Sequence, residues 1–198
     1  MATLTVFTPL YNRINTLKRT YESLKRQTSK DFVWLIIDDG STDNPYEIIK
    51  EWIKINNGFE IKYVYKENGG MHTAHNTAYE NIDTELNVCV DSDDYMPDNA
   101  VQLIIDCWNK NKNKGYAGII ALDFADSTKK VIGKELPTDK ESTTLMGYYN
   151  NGGFGDKKLI YSTDIIKQTP PYPVFDNEKY VALAYNCLLY TSPSPRYA

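Results

Sequence analysis

Short apolar segments alternate with longer amphipathic segments through the first half of the chain, and this alternation limits the possible folds more than any other feature. The apolar segments are short and rich in β-branched residues, as strands are; they cover residues 4–8, 32–38, 61–65 and 86–90. In the segments that follow them, apolar residues recur at helical spacing; these cover residues 12–27, a stretch after Pro45, residues 73–79 and a stretch after Pro97. Strands that alternate with such helices form βαβ units with right-handed crossovers. The sequence therefore predicts an α/β fold with a mainly parallel central sheet flanked by helices.

Length, charge and cysteine content narrow the class of protein further. A chain of 198 residues is long enough for one sizeable domain. Its formal charge of -4 offers no basic surface to a nucleic-acid backbone, so we expect no nucleic-acid partner. The three cysteines form no C-x-x-C pair, which favours a reducing compartment, and the longest apolar run is far below the roughly 20 residues of a membrane span. We expect a cytoplasmic protein and leave open a peripheral association with the inner face of the membrane.

The second half of the chain has weaker signals. Residues 116–122 and 158–163 have the composition of strands, whereas region 143–149 reads as irregular. After Cys187 the sequence loses its periodicity and carries two Ser-Pro pairs. We therefore expect no packed element in that last stretch.

Polar loops follow each of the first four predicted strands. They cover residues 8–11, 38–41, 67–70 and 91–94. In an open α/β sheet the ligand crevice lies beyond the carboxyl ends of the strands. All four loops should therefore open on one edge, and together they predict a binding site there.

Two acidic groups at this edge suggest different tasks. Asp91 and Asp93 form a D-x-D that can direct carboxylate oxygens to Mg²⁺ or Mn²⁺, a cation that keeps positions open for phosphate oxygens. Such a cation would also offset the repulsion between neighbouring carboxylates, which is about 4 kcal/mol at 4 Å and an effective dielectric near 20. Asp39 is placed to accept hydrogen bonds from a nucleoside, and Tyr11 offers a flat face to a base.

Each of these features also has a purely structural explanation. Asp-rich turns commonly cap helices, the segment from Asp38 to Ser41 has the composition of a solvated turn, and Gly69 and Gly70 suit a loop with positive φ. His72 and His75 are three residues apart, but no third ligand has a recognisable spacing, which disfavours zinc. The shared edge favours the functional interpretation.

Five segments in the first half, in this order and spacing, resemble the family 2 glycosyltransferases, which have the GT-A fold. They are TVFTPLYNR, LKRQT, DFVWLIIDDGSTDN, ENGGMHTAHNTAYE and VDSDDYMPDNAV, and two later segments similar to one bacterial branch are GDKKLIYSTDIIK and YPVFDNEKYVALAY. The resemblance implies one GT-A (Rossmann-like) domain over residues 1–187, which we expect to be truncated at its C-terminal side. From the loss of periodicity we expect residues 188–198 to be an irregular, non-native tail.

The resemblance also implies an activity. It is that of an inverting glycosyltransferase moving a sugar from a nucleotide-diphosphate sugar, often UDP-linked, to a hydroxyl of a glycan or lipid-linked sugar acceptor. In the bacterial branch this chemistry serves cell-envelope or capsular polysaccharide synthesis. The metal would stabilise negative charge on the leaving group, and a carboxylate on the opposite face of the sugar would take the acceptor proton.

Residue roles carry over by position. The implied nucleotide-sugar site contains Thr8, Pro9, Tyr11, Asp39, Gly70, Asn76, Asp91 and Ser92. Asp91 and Asp93 would hold Mn²⁺ or Mg²⁺, and the catalytic residues would be Asp93 and the base. Asp176 and Glu178 are the candidates for the base, and we choose Glu178 because residues 181–184 contain no acid where several relatives carry one.

Two other functions stay open from the sequence. A sugar nucleotidyltransferase would also use metal-binding acids, and it would need basic residues near the first loop, for which Arg13, Lys18 and Arg19 are candidates. A nucleotide-sugar-binding protein without turnover would suit a short second half. A dehydrogenase and a P-loop enzyme are disfavoured because neither G-x-G-x-x-G nor G-x-x-x-x-G-K-[ST] is present.

Overall fold

A computed structural model describes residues 2–139, 141–174 and 196–197. The strands are β1 Leu4–Leu10, β2 Phe32–Asp39, β3 Glu60–Lys66, β4 Leu86–Cys89, β5 Gly118–Leu122, β6 Phe124–Ala125, β7 Lys130–Val131, β8 Thr143–Thr144, β9 Lys157–Ser162 and β10 Arg196–Tyr197. The helices are α1 Ile14–Lys25, α2 Tyr46–Lys54, α3 Met71–Asn81, α4 Ala100–Asn111, α5 Leu145–Asn150 and α6 Thr163–Ile166. The strand–helix alternation predicted for the first half is therefore confirmed.

The central sheet has its strands in the order β3-β2-β1-β4-β9-β5-β10-β8. β1 to β4 are mutually parallel where they pair, and β9 runs antiparallel between β4 and β5. The predicted mainly parallel sheet is confirmed, and its antiparallel pairs are those of β9 with β4 and β5 and that of β8 with β10. Since β9 runs against its neighbours, its first residues lie at the same edge as the last residues of β4 and β5.

Helices cover both faces of the sheet. On one face, apolar residues of α1, α2 and α4 pack on alternate residues of β1, β2 and β4 in the larger core cluster. That core includes a stack of Tyr21, Trp34 and Trp52, whose ring centroids are 4.2 to 5.9 Å apart. On the other face, Ala74 and Ala78 of α3 pack against Phe7 and its neighbours in a smaller cluster. Within the described residues, no helix combines the length and apolarity that crossing a bilayer requires.

The helix predicted after Pro97 begins at Ala100 with Asn99 as its N-cap, and the Ala100 N–H donates a turn hydrogen bond to the Pro97 carbonyl. Two local predictions from the sequence are corrected. Region 143–149 is ordered as β8 and α5, and the Thr144 hydroxyl accepts a 2.8 Å hydrogen bond from the Gly147 N–H as an N-cap does. In the tail, Arg196–Tyr197 pairs with β5 and β8 as β10.

Candidate active site

Loops from separate strands meet at the carboxyl edge of the sheet, as the sequence predicts. The loop after β1 bridges to the loop after β2: the Asn12 N–H donates to the Ser41 hydroxyl (3.1 Å), and the Asn12 side-chain oxygen accepts from the Thr42 N–H (2.8 Å). The next residue, Arg13, reaches the loop after β4, where its guanidinium lies 3.4 Å from the Asp93 carboxylate. The loops after β1, β2 and β4 therefore line one region.

The acid loop, residues 91–94, is fixed to α1 through its backbone. The Thr20 hydroxyl donates to the carbonyl of Asp94 (2.7 Å) and approaches that of Ser92 (3.4 Å). The Arg19 guanidinium donates to the Asp93 carbonyl. Ser92 is buried, whereas the Asp93 side chain is half-exposed. The backbone of the acid loop is thus held in place, while the side chains of Asp93 and Asp94 are about half-exposed.

Cations of the chain lie among the carboxylates. The ammonium of Lys158 lies 4.0 Å from a carboxylate oxygen of Asp94 and 3.8 Å from one of Asp123. Asp91 is partly buried, and the Cys89 thiol lies 3.7 Å from its carboxylate. Part of the repulsion expected within the acid loop is therefore offset by the protein itself.

These contacts have consistent effects on protonation. Burial raises the pKa of Asp94 and of Asp123, and the nearby Lys158 opposes the rise. Burial lowers the pKa of Lys158, but the Asp123 carboxylate and the other acids around it outweigh burial, so the pKa is raised overall. Lys158 is therefore charged at neutral pH. Burial, followed by the charge of Asp91, raises the pKa of the Cys89 thiol, so that side chain stays neutral.

Asp123 and Lys158 are part of this cluster, yet sequence reasoning missed both. Asp123 directly follows β5, so the rule that located the other loops at strand ends would have included it. Lys158 lies near the start of β9, paired in register with Ala121 of β5. Its place at the carboxyl edge depends on β9 being antiparallel, which no sequence signal indicates.

The carboxylate of Asp39 anchors the loop after β3. It accepts hydrogen bonds from the Lys66 ammonium (2.5 Å), the Gly69 N–H (3.0 Å) and the Gly70 N–H (2.8 Å), and Asn68 approaches at 3.3 Å. The Asp39 side chain is 5% exposed. A carboxylate has about four lone-pair sites, so a direct hydrogen bond from a nucleoside requires one of these donors to leave.

The structure also changes the expected contacts of two other predicted site residues. Thr8 is fully buried, and its hydroxyl accepts from the Trp34 indole N–H at 3.0 Å, so its side chain supports the core. The Asn76 amide bonds the backbone of Tyr172 twice, donating to the carbonyl (2.9 Å) and accepting from the N–H (2.8 Å). In this conformation the Thr8 side chain faces the core and the Asn76 amide is engaged by the Tyr172 backbone. Pro9 is buried beside them, and Tyr11 is 49% exposed.

His75 lies between the acid loop and the segment that contains Tyr172. Its ring meets those of Phe7 and Tyr172 edge to face, and one ring nitrogen lies 3.7 Å from the Cys89 sulfur. Burial lowers the pKa of His75 to about 4, although the nearby Asp91 carboxylate opposes this. The imidazole is therefore neutral at physiological pH.

A resident metal would have few protein ligands here. Within the described part of the chain, no group of three or more His, Cys, Asp or Glu side chains is arranged to hold a metal. Asp91 and Asp93 supply two hard carboxylate donors at the cleft. This set fits Mg²⁺ or Mn²⁺ taking its remaining ligands from a diphosphate and water, as such ions often do.

A separate cavity of about 470 Å³ lies at the opposite edge of the sheet. It is lined by residues near the amino ends of β1, β2 and β3, including Thr5, Phe32 and Glu60. None of the acid-loop residues lines it. The cluster of functional groups therefore places the candidate site at the carboxyl edge.

Comparison with protein families identifies the family of the chain. Residues 5–169 match the model described as glycosyl transferase family 2. The chain belongs to that family. The predicted family and the GT-A fold are therefore confirmed, and the protein is a glycosyltransferase-family member.

Curated relatives of this family member are longer proteins. An uncharacterised glycosyltransferase of Rickettsia conorii is 30% identical over 148 residues, which cover 72% of this chain and 24% of the relative. The chondroitin synthase of Pasteurella multocida is 33% identical over 109 residues, which cover 55% of this chain and 11% of the relative. The chain thus spans about a quarter or less of these relatives.

Solved structures share the fold at low identity. S. aureus TarS 1-349 in complex with UDP has a TM-score of 0.65 and 20% identity, over 99% of this chain and 60% of that one. The mannosyltransferase PcManGT of Pyrobaculum calidifontis, in complex with GDP-Man and Mn²⁺, has a TM-score of 0.60 and 16% identity, over 86% of this chain and 47% of that one. These similarities establish the fold.

Proposed function

We propose that this chain is the catalytic domain of an inverting glycosyltransferase that transfers a sugar from a nucleotide-diphosphate sugar, UDP-linked, to a hydroxyl acceptor. The observation that carries the proposal is the convergence of the acid loop with the loops after β1 and β2, through Asn12 and Arg13. This arrangement brings the polar loops after β1 and β2 next to hard carboxylates. TarS has been solved with UDP and with UDP-GlcNAc, which supports a nucleotide-sugar donor.

In this proposal the nucleoside lies against the exposed ring of Tyr11 and the loop that Asp39 anchors. Pro9 and Gly70 shape the backbone on either side, and Ser92 helps fix the acid loop. Asp39 contributes mainly by holding the loop after β3 in place, because its carboxylate is already occupied. Thr8 and Asn76 act through the core and the Tyr172 segment, respectively.

Asp91 and Asp93 are the proposed ligands of a divalent cation, Mn²⁺ or Mg²⁺. PcManGT was solved with Mn²⁺, which supports a metal in this fold. When bound, the cation would offset charge on the departing diphosphate. Asp91 and Asp93 would orient the diphosphate. Beside them, Lys158 lies between Asp94 and Asp123 and partly neutralises these two carboxylates.

Glu178 is the proposed base that takes the proton from the acceptor hydroxyl. Both Glu178 and its alternative Asp176 lie outside the described residues. Their proposed role is supported by the nearby described segment, since Tyr172 is hydrogen-bonded to Asn76 on α3 and contacts His75. Tyr172 therefore lies on the side of the sheet that α3 covers.

The acceptor is proposed to be a glycan or lipid-linked sugar of a cell-envelope or capsular polysaccharide. The match to chondroitin synthase, named for a polysaccharide product, supports this class. We also propose a cytoplasmic location with peripheral attachment to the inner face of the membrane.

Calorimetric titration of UDP with and without Mn²⁺ tests the proposal. We expect Mn²⁺ to tighten UDP binding by the wild type, and Asp93→Ala to abolish that gain. Asp98→Ala is the matched control, since Asp98 is similarly exposed and paired with Arg26 instead of lying in the cleft. UDP binding that ignores Mn²⁺, or an equal effect of both substitutions, would refute the metal-assisted site.

A turnover assay separates the alternative functions. UDP-sugars, a glycan acceptor and Mn²⁺ should give transfer or slow donor hydrolysis, in this chain and in one extended beyond residue 198. Release of pyrophosphate from UTP and a sugar phosphate would instead identify a nucleotidyltransferase. Donor binding without turnover in either chain would identify a binding protein.

A further inference from the structure

Among the residues that the structure describes, three cations contact the acid loop, and two of them have fixed positions. Arg19 donates to the Asp93 carbonyl, and its guanidinium lies 5.0 Å from the centre of the Tyr95 ring. Lys158 lies between Asp94 and Asp123, with 27% of its side chain exposed. Each of these cations has two partners, so moving either one breaks two interactions.

Arg13 is the third cation, and its contact is weaker. One guanidinium nitrogen lies 3.4 Å from a carboxylate oxygen of Asp93, and the two side chains are 58% and 51% exposed. Exposed pairs of this kind contribute little to stability. The pair can therefore open at low cost.

The backbone around Arg13 stays in place when its side chain moves. The N–H groups on either side are bonded to the loop after β2: that of Asn12 to the Ser41 hydroxyl (3.1 Å) and that of Ile14 to the Asp43 carboxylate (3.0 Å). A long, half-exposed side chain on an anchored backbone can reorient without disturbing the fold. Arg13 thus has an anchored backbone beside the acid loop and a half-exposed guanidinium that can leave Asp93.

Asp93 has two competing partners if the proposed function is correct. As a ligand of a divalent cation, its carboxylate would lie next to two positive charges, and the guanidinium beside it would be repelled. The donor brings a diphosphate into the same cleft, and a guanidinium binds phosphate oxygens in a two-pronged geometry. The Arg13 guanidinium that leaves Asp93 would therefore find a new anionic partner, the diphosphate, within the site.

We propose that Arg13 exchanges partners during donor binding, leaving the Asp93 carboxylate when Asp93 takes the divalent cation and binding the donor's diphosphate instead. In the free protein Arg13 partly neutralises the acid loop. In the donor complex it holds the leaving group. This inference rests on the proposed function, and it assigns Arg13 a donor-binding role that depends on the metal.

Calorimetric titrations of Arg13→Gln test the exchange with three probes: Mn²⁺ alone, UDP in EDTA, and UDP in Mn²⁺. Arg26→Gln is the matched control, because Arg26 forms a 3.1 Å pair with Asp98 on similarly exposed side chains. Arg13→Lys is a second variant that keeps the charge and loses the two-pronged geometry.

Arg13→Gln is expected to change the affinities for Mn²⁺ and for UDP in opposite directions. Arg13→Gln should bind Mn²⁺ alone about two- to fivefold more tightly, because a competing cation is gone. It should bind UDP about tenfold more weakly in Mn²⁺, since a charge-assisted hydrogen bond is lost, with less than about a twofold change in EDTA. Arg26→Gln should match the wild type throughout, and Arg13→Lys should fall between the wild type and Arg13→Gln in the Mn²⁺ arm.

Two results overturn the inference. They are equal Mn²⁺ affinity of the wild type and Arg13→Gln, and an equal loss of UDP affinity in EDTA and in Mn²⁺. Absence of UDP binding by the wild type refutes the proposed function and the diphosphate half of the exchange, while the titration with Mn²⁺ alone still reports whether Arg13 competes with the cation. The two failures are therefore distinguishable.

Discussion

Replacing Asp39 should destabilise the fold before any ligand is considered. Asp39→Ala removes the carboxylate that accepts hydrogen bonds from Lys66, Gly69 and Gly70, and it leaves the Lys66 ammonium, on a side chain that is 20% exposed, without that partner. Removing one partner of a buried ion pair costs about 3–5 kcal/mol. Because Lys66 retains some access to water, we expect a loss of about 3 kcal/mol.

Thermal unfolding measures this loss directly. For a domain of this size, 1 kcal/mol corresponds to a Tm shift of roughly 2–4 °C, so Asp39→Ala should unfold roughly 6–12 °C below the wild type. Trp34 and Trp52 are buried in the core, so their fluorescence reports the transition. The Gly69 and Gly70 N–H groups bond different oxygens of Asp39, so Asp39→Asn keeps an acceptor for only one of them and should recover only part of the loss.

The control is again Asp98→Ala, whose side chain is 58% exposed and whose loss should cost under about 0.5 kcal/mol. If Asp39→Ala unfolds at the same temperature as that control, the Asp39 contacts do not hold the loop. The Asp39 carboxylate would then not be occupied by structural donors, and it could bind a nucleoside directly.

Three further predictions concern protonation, the C-terminal segment and a glycine. The pKa of His75 is near 4 in the folded state and its ordinary value is 6.5, so the unfolded chain takes up a proton first as pH falls. Between about pH 6.5 and 4, the free energy of unfolding of the wild type should therefore fall by about 2 kcal/mol relative to that of His75→Phe. Urea unfolding midpoints that change in parallel for the two proteins would contradict this. Asn76→Ala removes two hydrogen bonds to Tyr172, so hydrogen exchange at the Tyr172 amide should be at least about fivefold faster, and unchanged protection would show that the contact is unimportant. Gly40→Ala places a Cβ 2.6 Å from a backbone nitrogen at a φ of +77°, whereas the Cβ of Gly115→Ala, at a φ of +72°, meets nothing within 4 Å. In urea unfolding, Gly40→Ala should therefore lower the free energy of unfolding by about 1–3 kcal/mol more than Gly115→Ala does. Equal losses would mean that φ alone decides the effect.

Local patterns in the sequence were sufficient for much of the fold. The run of apolar residues in β2 predicts a strand buried on both faces, and every residue of Phe32–Asp39 is buried. The spacing of Leu17, Tyr21 and Leu24 predicts one apolar face of α1, and these residues are in the core. Parallel pairing then places the loops after β1, β2 and β4 at one edge, which is why the region of the site could be predicted.

The roles of individual site residues could not be predicted in the same way. Nothing near Asn76 in the sequence indicates that its amide bonds the backbone of a residue 96 positions later. The direction of β9 likewise decides that Lys158 lies among the acids. Hydrogen bonds between remote segments depend on loop conformations that carry no periodic signal.

The sequence by itself therefore determined the layers of the protein, the direction of its first four strands and the edge where its acidic loops open, because these follow from side-chain periodicity and from the chirality of βαβ units. The tertiary structure alone decided which donor occupies each oxygen: Lys66 and two glycine N–H groups on Asp39, and Arg13 on Asp93. The physical reason is that a carboxylate accepts from any donor within about 3 Å, and proximity between distant segments exists only after the chain has folded.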